Sequence, residues 1–141
     1  MAGQLYVVGE QGMILRLSNT DQRLHAVSVD YPGTLFGLAQ VQGALLVYGL
    51  RGTAFRSEDQ GGSWTPVATG SQVSLVAALM GPEGGLQLLS QAGQRLVSTD
   101  GGRSFTPSAG PLQATSDGVL LASGKVLKVG PQGVIVPPPM P

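Results

Sequence analysis

Arg56-Ser57-Glu58-Asp59-Gln60-Gly61-Gly62-Ser63-Trp64 fits the pattern Ser-x-Asp-x-Gly-x-Ser-Trp without a mismatch, and Ser98-Thr99-Asp100-Gly101-Gly102-Arg103-Ser104-Phe105 repeats it with Phe for Trp. Each copy is a turn that can hold itself together. The carboxylate two residues after the serine accepts from backbone N–H groups of a tight loop, and the glycines supply positive φ without steric cost. The aromatic residue that follows opens the next strand. A large ring there can pack over a neighbouring hairpin, and an indole N–H can still find an acceptor.

A period surrounds these loops. Four glycine steps, Gly9 to Gly12, Gly49 to Gly52, Ser90 to Gly93 and Gly130 to Gly133, recur at successive spacings of 40, 41 and 40. Each lies between two apolar runs, such as Leu45-Leu46-Val47-Tyr48 before Gly52-Thr53-Ala54-Phe55, so each predicts a hairpin closed by a two-residue turn. Four short strands per repeat of this length is the blade pattern of a β-propeller.

The strands of each unit are a to d from the axis outward. The first unit lacks a, with b at Leu5–Val8, c at Met13–Leu17 and d at Leu24–Val29. The second is whole, at Leu35–Val41, Leu45–Tyr48, Thr53–Ser57 and Ser63–Ala68. The third is whole too, at Leu75–Met80, Leu86–Leu89, Arg95–Ser98 and Ser104–Pro107. The fourth offers Val119–Ser123, Val126–Val129 and Val134–Val136, and then meets prolines that donate no ladder bond. The expected fold is therefore all-β, a propeller segment of about three and a half blades. Its parts are a partial blade over 1–31, blades over 32–70 and 71–110, a partial blade over 111–136 and a Pro-rich tail over 137–141. After Arg16, Ser18-Asn19-Thr20-Asp21-Gln22-Arg23-Leu24 is a degenerate loop of the same kind without glycine.

An open arc exposes strand edges and an apolar flank. Three solutions remain open: closure as a small ring, two chains joined into one larger ring, or a piece of a longer protein. Self-association through the open ends is expected of the isolated chain.

The loop pattern resembles the Asp-box, or bacterial neuraminidase repeat, which its families carry on the hairpin between the third and fourth strands of a propeller blade. It recurs in sialidases, some glucanases, sortilin-type receptors and the photosystem II stability and assembly factor family. The last is most similar, because its repeats join a G-x-x-G step to R-S-x-D-G-G-x-T-W, as Gly49 to Trp64 does here. That resemblance implies structural roles for Ser57, Asp59, Gly61, Trp64, Ser98, Asp100, Gly102 and Phe105. It also implies a protein that assists assembly or stability of a membrane-associated complex outside the cytoplasm, or, in a non-photosynthetic bacterium, an accessory to an envelope transporter. Family members usually have more repeats and a secretion signal. A C-terminal fragment or natural half-propeller is expected accordingly.

Composition narrows the remaining classes. The 141 residues carry zero formal net charge with only 11% charged residues and no basic run, so the electrostatic footprint of a nucleic-acid binder is missing. The absence of cysteine excludes thiolate ligands, cysteine nucleophiles and disulfides. No apolar run is long enough to span a bilayer, and the opening ten residues carry no signal-peptide pattern.

The sialidase resemblance sets a rival function, a carbohydrate-active hydrolase, which needs two carboxylates bracketing one bond. The acidic residues Glu10, Asp21, Asp30, Glu58, Asp59, Glu83, Asp100 and Asp117 all fall in predicted turns, away from strand a. His25 is the only histidine, so no histidine triad or metal set can be drawn around it. No catalytic residue, cofactor or metal is expected, and a protein partner is. Arg16, Arg51, Arg56 and Tyr48 are the candidates for a polar partner-binding face, with Arg16 and Arg56 at the same place in the repeat.

Overall fold

A computed structural model describes residues 4–81, 85–110 and 112–136. The chain is all-β and forms four antiparallel sheets in sequence. Sheet 1 holds β1 (Tyr6–Val8), β2 (Ile14–Leu17) and β3 (Leu24–Ala26). Sheet 2 holds β4 (Leu35–Val41), β5 (Ala44–Gly49), β6 (Ala54–Ser57) and β7 (Thr65–Pro66). Sheet 3 holds β8 (Leu75–Met80), β9 (Leu86–Ser90), β10 (Arg95–Ser98) and β11 (Thr106–Pro107). Sheet 4 holds β12 (Asp117–Leu120), β13 (Val126–Gly130) and β14 (Gly133–Ile135). Every strand pairs with its sequence neighbour, and β4, β8 and β12 lie beside one another as the first strands of successive sheets. This is a partial β-propeller.

Two expectations need correction. Asp117 is not in a turn but opens β12, and that strand ends at Leu120 rather than Ser123. The glycine steps are also not all two-residue turns. Val8 pairs with Ile14, Tyr48 with Ala54 and Leu89 with Arg95, whereas Val129 pairs with Val134, so only the fourth turn is one residue shorter. In the first two turns, Gln11 and Gly12, then Arg51 and Gly52, all take positive φ, the geometry of a type I′ turn. The Pro-rich tail at 137–141 and the turn expected at Glu83 lie outside the described residues.

The core sits between the sheets. Ile14 of sheet 1 packs with Leu35 and Val47 of sheet 2. Leu46, Tyr48 and Ala54 of sheet 2 meet Leu75, Leu86, Leu88 and Leu96 of sheet 3. Ala77, Leu79 and Leu89 of sheet 3 meet Val126 of sheet 4. Alternation along each strand thus feeds two interfaces, one on each face, which is why the central strands are almost continuously apolar. Pairing carries the same positions to the ends of the row. Val7 stands where Val47 and Leu88 are buried but is 38% exposed; Val129 and Val134, at the places of Tyr48 and Ala54, are 40% and 64% exposed. No described sheet covers either outer face.

Candidate functional site

The two Ser-x-Asp loops are built alike. The Ser57 hydroxyl donates to Asp59 Oδ1 at 2.8 Å and accepts from the Gly61 N–H at 2.8 Å. Asp59 in turn accepts from the Ser63 N–H at 2.8 Å and the Ser63 hydroxyl at 2.7 Å. In the second loop Ser98 binds Asp100 and the Gly102 N–H, while Asp100 accepts from Arg103 and Ser104. The aromatic residue that closes each loop reaches back one sheet. Trp64 Nε1 donates to the Val27 carbonyl at 2.8 Å, and Phe105 is buried among Val41 and Leu46. The degenerate loop keeps its serine: Ser18 Oγ accepts from the Thr20 N–H, and Asp21 turns to the Arg23 N–H and to His25 Nε2 at 2.8 Å.

These hydrogen bonds hold both carboxylates ionised. The Ser63 and Ser57 hydroxyls bring Asp59 down to about 2, and the Ser104 hydroxyl and N–H hold Asp100 below the usual carboxylate range. A carboxylate whose folded pKa is depressed contributes stability that is present above its unfolded pKa, ordinarily 3.8, and lost as pH falls through the folded value. The midpoint of thermal unfolding is therefore expected to hold steady down to about pH 5 and to fall between about pH 4 and pH 2. In Asp59→Asn/Asp100→Asn the fall over that window should shrink, and an unchanged slope would refute the assignment.

A second recurring contact ties sheets 1 and 2 each to the loop of the next sheet. Arg16 on β2 donates to the Gln60 carbonyl at 3.4 Å, joined there by the Tyr6 hydroxyl at 3.1 Å. Arg56, in the same place on β6, donates from Nε to the Gly101 carbonyl at 2.9 Å. Gln60 and Gly101 both follow the loop aspartate. Glu58 completes the second clamp, 3.1 Å from both Arg56 and Arg103. Sheet 3 carries Val97 at the arginine position, and sheet 4 has no described loop of this kind to be held.

The four residues expected on a partner-binding face are not brought together. Arg51 is exposed at its turn, and Arg16 is half-buried against the Gln60 loop. Arg56 is 7% exposed and Tyr48 6%, so neither is available to a partner. Burial, then the charge of Asp117, pushes the Tyr48 hydroxyl up to about 12. The reason Tyr48 turns inward is Gly37 opposite: a Cβ there would lie 2.2 Å from the phenol oxygen. Among the described residues no cluster of three or more metal-ligating side chains occurs, and no helix is long and apolar enough to cross a membrane.

Successive antiparallel sheets of three or four strands, the two four-stranded ones each with a serine–aspartate loop between third and fourth strands, define a partial β-propeller. No known family profile matches the chain, and no curated protein does. Among solved structures it is similar to YCF48 bound to D1 peptide, with a TM-score of 0.64 at 16% identity. The match covers 90% of this chain and 43% of that one, so the chain spans less than half of its neighbour's length.

Proposed function

We propose that the chain is a non-catalytic segment of an Asp-box propeller that holds a protein partner, in the manner of the photosystem II assembly factor family, and helps assemble or stabilise a membrane-associated complex outside the cytoplasm. The observation that carries this reading is the pair of exposed apolar end faces, Val7 with Leu24 on sheet 1 and Val119, Val129 and Val134 on sheet 4. Exposed apolar area of this kind marks contact surfaces. The similarity in fold to a propeller solved with a peptide supports it. The rival hydrolase is less well supported by the carboxylates: Asp59 and Asp100 are engaged in their own loops, Glu58 is paired with two arginines, and Asp21 is paired with His25.

The end faces are two halves of the interface that recurs inside the chain, so one copy's sheet 4 should also seat on the sheet 1 of another. Light scattering on the isolated chain is expected to give a multiple of 14.4 kDa, and Val134→Glu to give the single-chain mass. A strict monomer of undiminished stability would overturn self-association. For the partner role, affinity capture from envelope membranes should recover a defined complex with the wild type and lose it with Val129→Glu/Val134→Glu. Hydrolysis of sialosides or glucans by the pure chain would sink the non-catalytic reading.

A further inference from the structure

The junction between sheets 3 and 4 breaks the repeat. At the first junction Ile14 faces Val47, and at the second Ala54 faces Leu88, all of them buried. The corresponding positions at the third junction hold Arg95, paired with Leu89, and Lys128, 40 positions after Leu88. Gln87 likewise stands 41 positions after Leu46. Where the other junctions place aliphatic side chains, this one sets two cations face to face.

They open a cleft of about 350 Å³, with Lys125 at its edge and Leu112, Val126 and Ile135 in its wall. None of the described residues lining it is acidic. Arg95 spends one terminal nitrogen on Gln87 Oε1 at 3.3 Å and the other on Ser108 Oγ at 3.2 Å. Lys128 Nζ donates to the Gly93 carbonyl at 2.6 Å. Three of the five Arg95 N–H bonds and two of the three on Lys128 find no protein acceptor among the described residues. Burial and then the nearby Arg95 charge lower the Lys128 pKa, so the two cations repel in partial shelter from water. Like charges placed together without a counter-charge, against the local pattern of the repeat, mark a site rather than a packing solution.

We propose that this cleft binds a small carboxylate, its anionic head between Arg95 and Lys128 and its compact apolar body on Leu112, Val126 and Ile135. The volume is that of a small-molecule pocket. The mostly apolar wall suits one carboxylate better than a phosphate, which brings more charge and more acceptors to be stripped of water. This inference rests on the third junction alone and not on the end faces.

The test is titration of the full chain with hexanoate, hexanamide and hexyl phosphate, followed by amide NMR shifts. Hexanoate is expected to shift Gly93, Lys125 and Lys128 saturably and to bind at least about tenfold more tightly than the neutral amide, the scale of a charge-assisted hydrogen bond. Arg95→Gln should weaken hexanoate by about as much. Lys125→Gln, at the edge of the cleft, should weaken it less and keeps the test open if Arg95→Gln fails to fold. Equal binding of hexanamide, tighter binding of hexyl phosphate, or indifference to the Lys125 and Arg95 changes would each overturn the assignment.

Discussion

Gly52→Ala is expected to destabilise the chain by about 3 kcal/mol, combining left-handed backbone strain with overpacking, whereas Gly43→Ala should cost only about 1 kcal/mol, from the strain alone. Both glycines hold positive φ in a turn, at +76° and +80°. They differ in surroundings. A Cβ on Gly52 would lie 1.9 Å from the Ser71 carbonyl oxygen, while one on Gly43 would meet nothing within 4 Å. The same close approach recurs at Gly12 against Tyr31 O and at Gly93 against Gln113 O, both 2.3 Å. The glycine step therefore serves two ends, turning the hairpin and seating it on the connection that leads to the next sheet. Urea denaturation of the two variants separates these contributions, and equal losses would refute the seating role.

Trp64→Ala should cost about 3 kcal/mol, the lower end for an aromatic deletion because the ring is only half-buried. Trp64→Phe should cost about 1 kcal/mol, the net worth of one hydrogen bond. The ring packs against the cluster of Ile14, Leu35 and Val47 at the junction between sheets 1 and 2, and its N–H binds the Val27 carbonyl. Phe105 performs the same bridging between sheets 2 and 3 with no polar tip, buried in the cluster that holds Val41, Leu46 and Leu86. If both Trp64 variants matched the wild type by denaturation, the loops would hold only themselves.

Most strands could be read directly: β4, β8 and β10 span the residues that the alternation and the glycine spacing mark out. The displaced strand is β12, because Asp117 and Gly118 are poor strand formers by propensity. Packing overrides that preference, since a Cβ on Gly118 would lie 2.8 Å from the Leu89 side chain. The outer strands β3, β7 and β11 are shorter than their apolar runs suggest, pairing on one side only. The loops were readable because their hydrogen bonds are local. The burial of Tyr48 and Arg56 is not legible in the sequence, because what buries them comes from elsewhere in the chain: Gly37 across the strand pair and Gly101 from the next sheet. For the cleft there was a usable signal. Superposing the repeats sets Arg95 under Ile14 and Ala54, and Lys128 under Val47 and Leu88, a contrast that a strand-by-strand reading does not expose.

The arginine clamps give the row a direction. Arg16 and Arg56 each grip the loop of the next sheet, and each aromatic leans on the sheet before, so these bonds between units are made with immediate neighbours. Such a chain behaves as a modular cassette array. Tandem duplication of residues 32–70 would insert one more unit whose clamp, loop and ring all find their ordinary counterparts, lengthening the arc without redesign of either end.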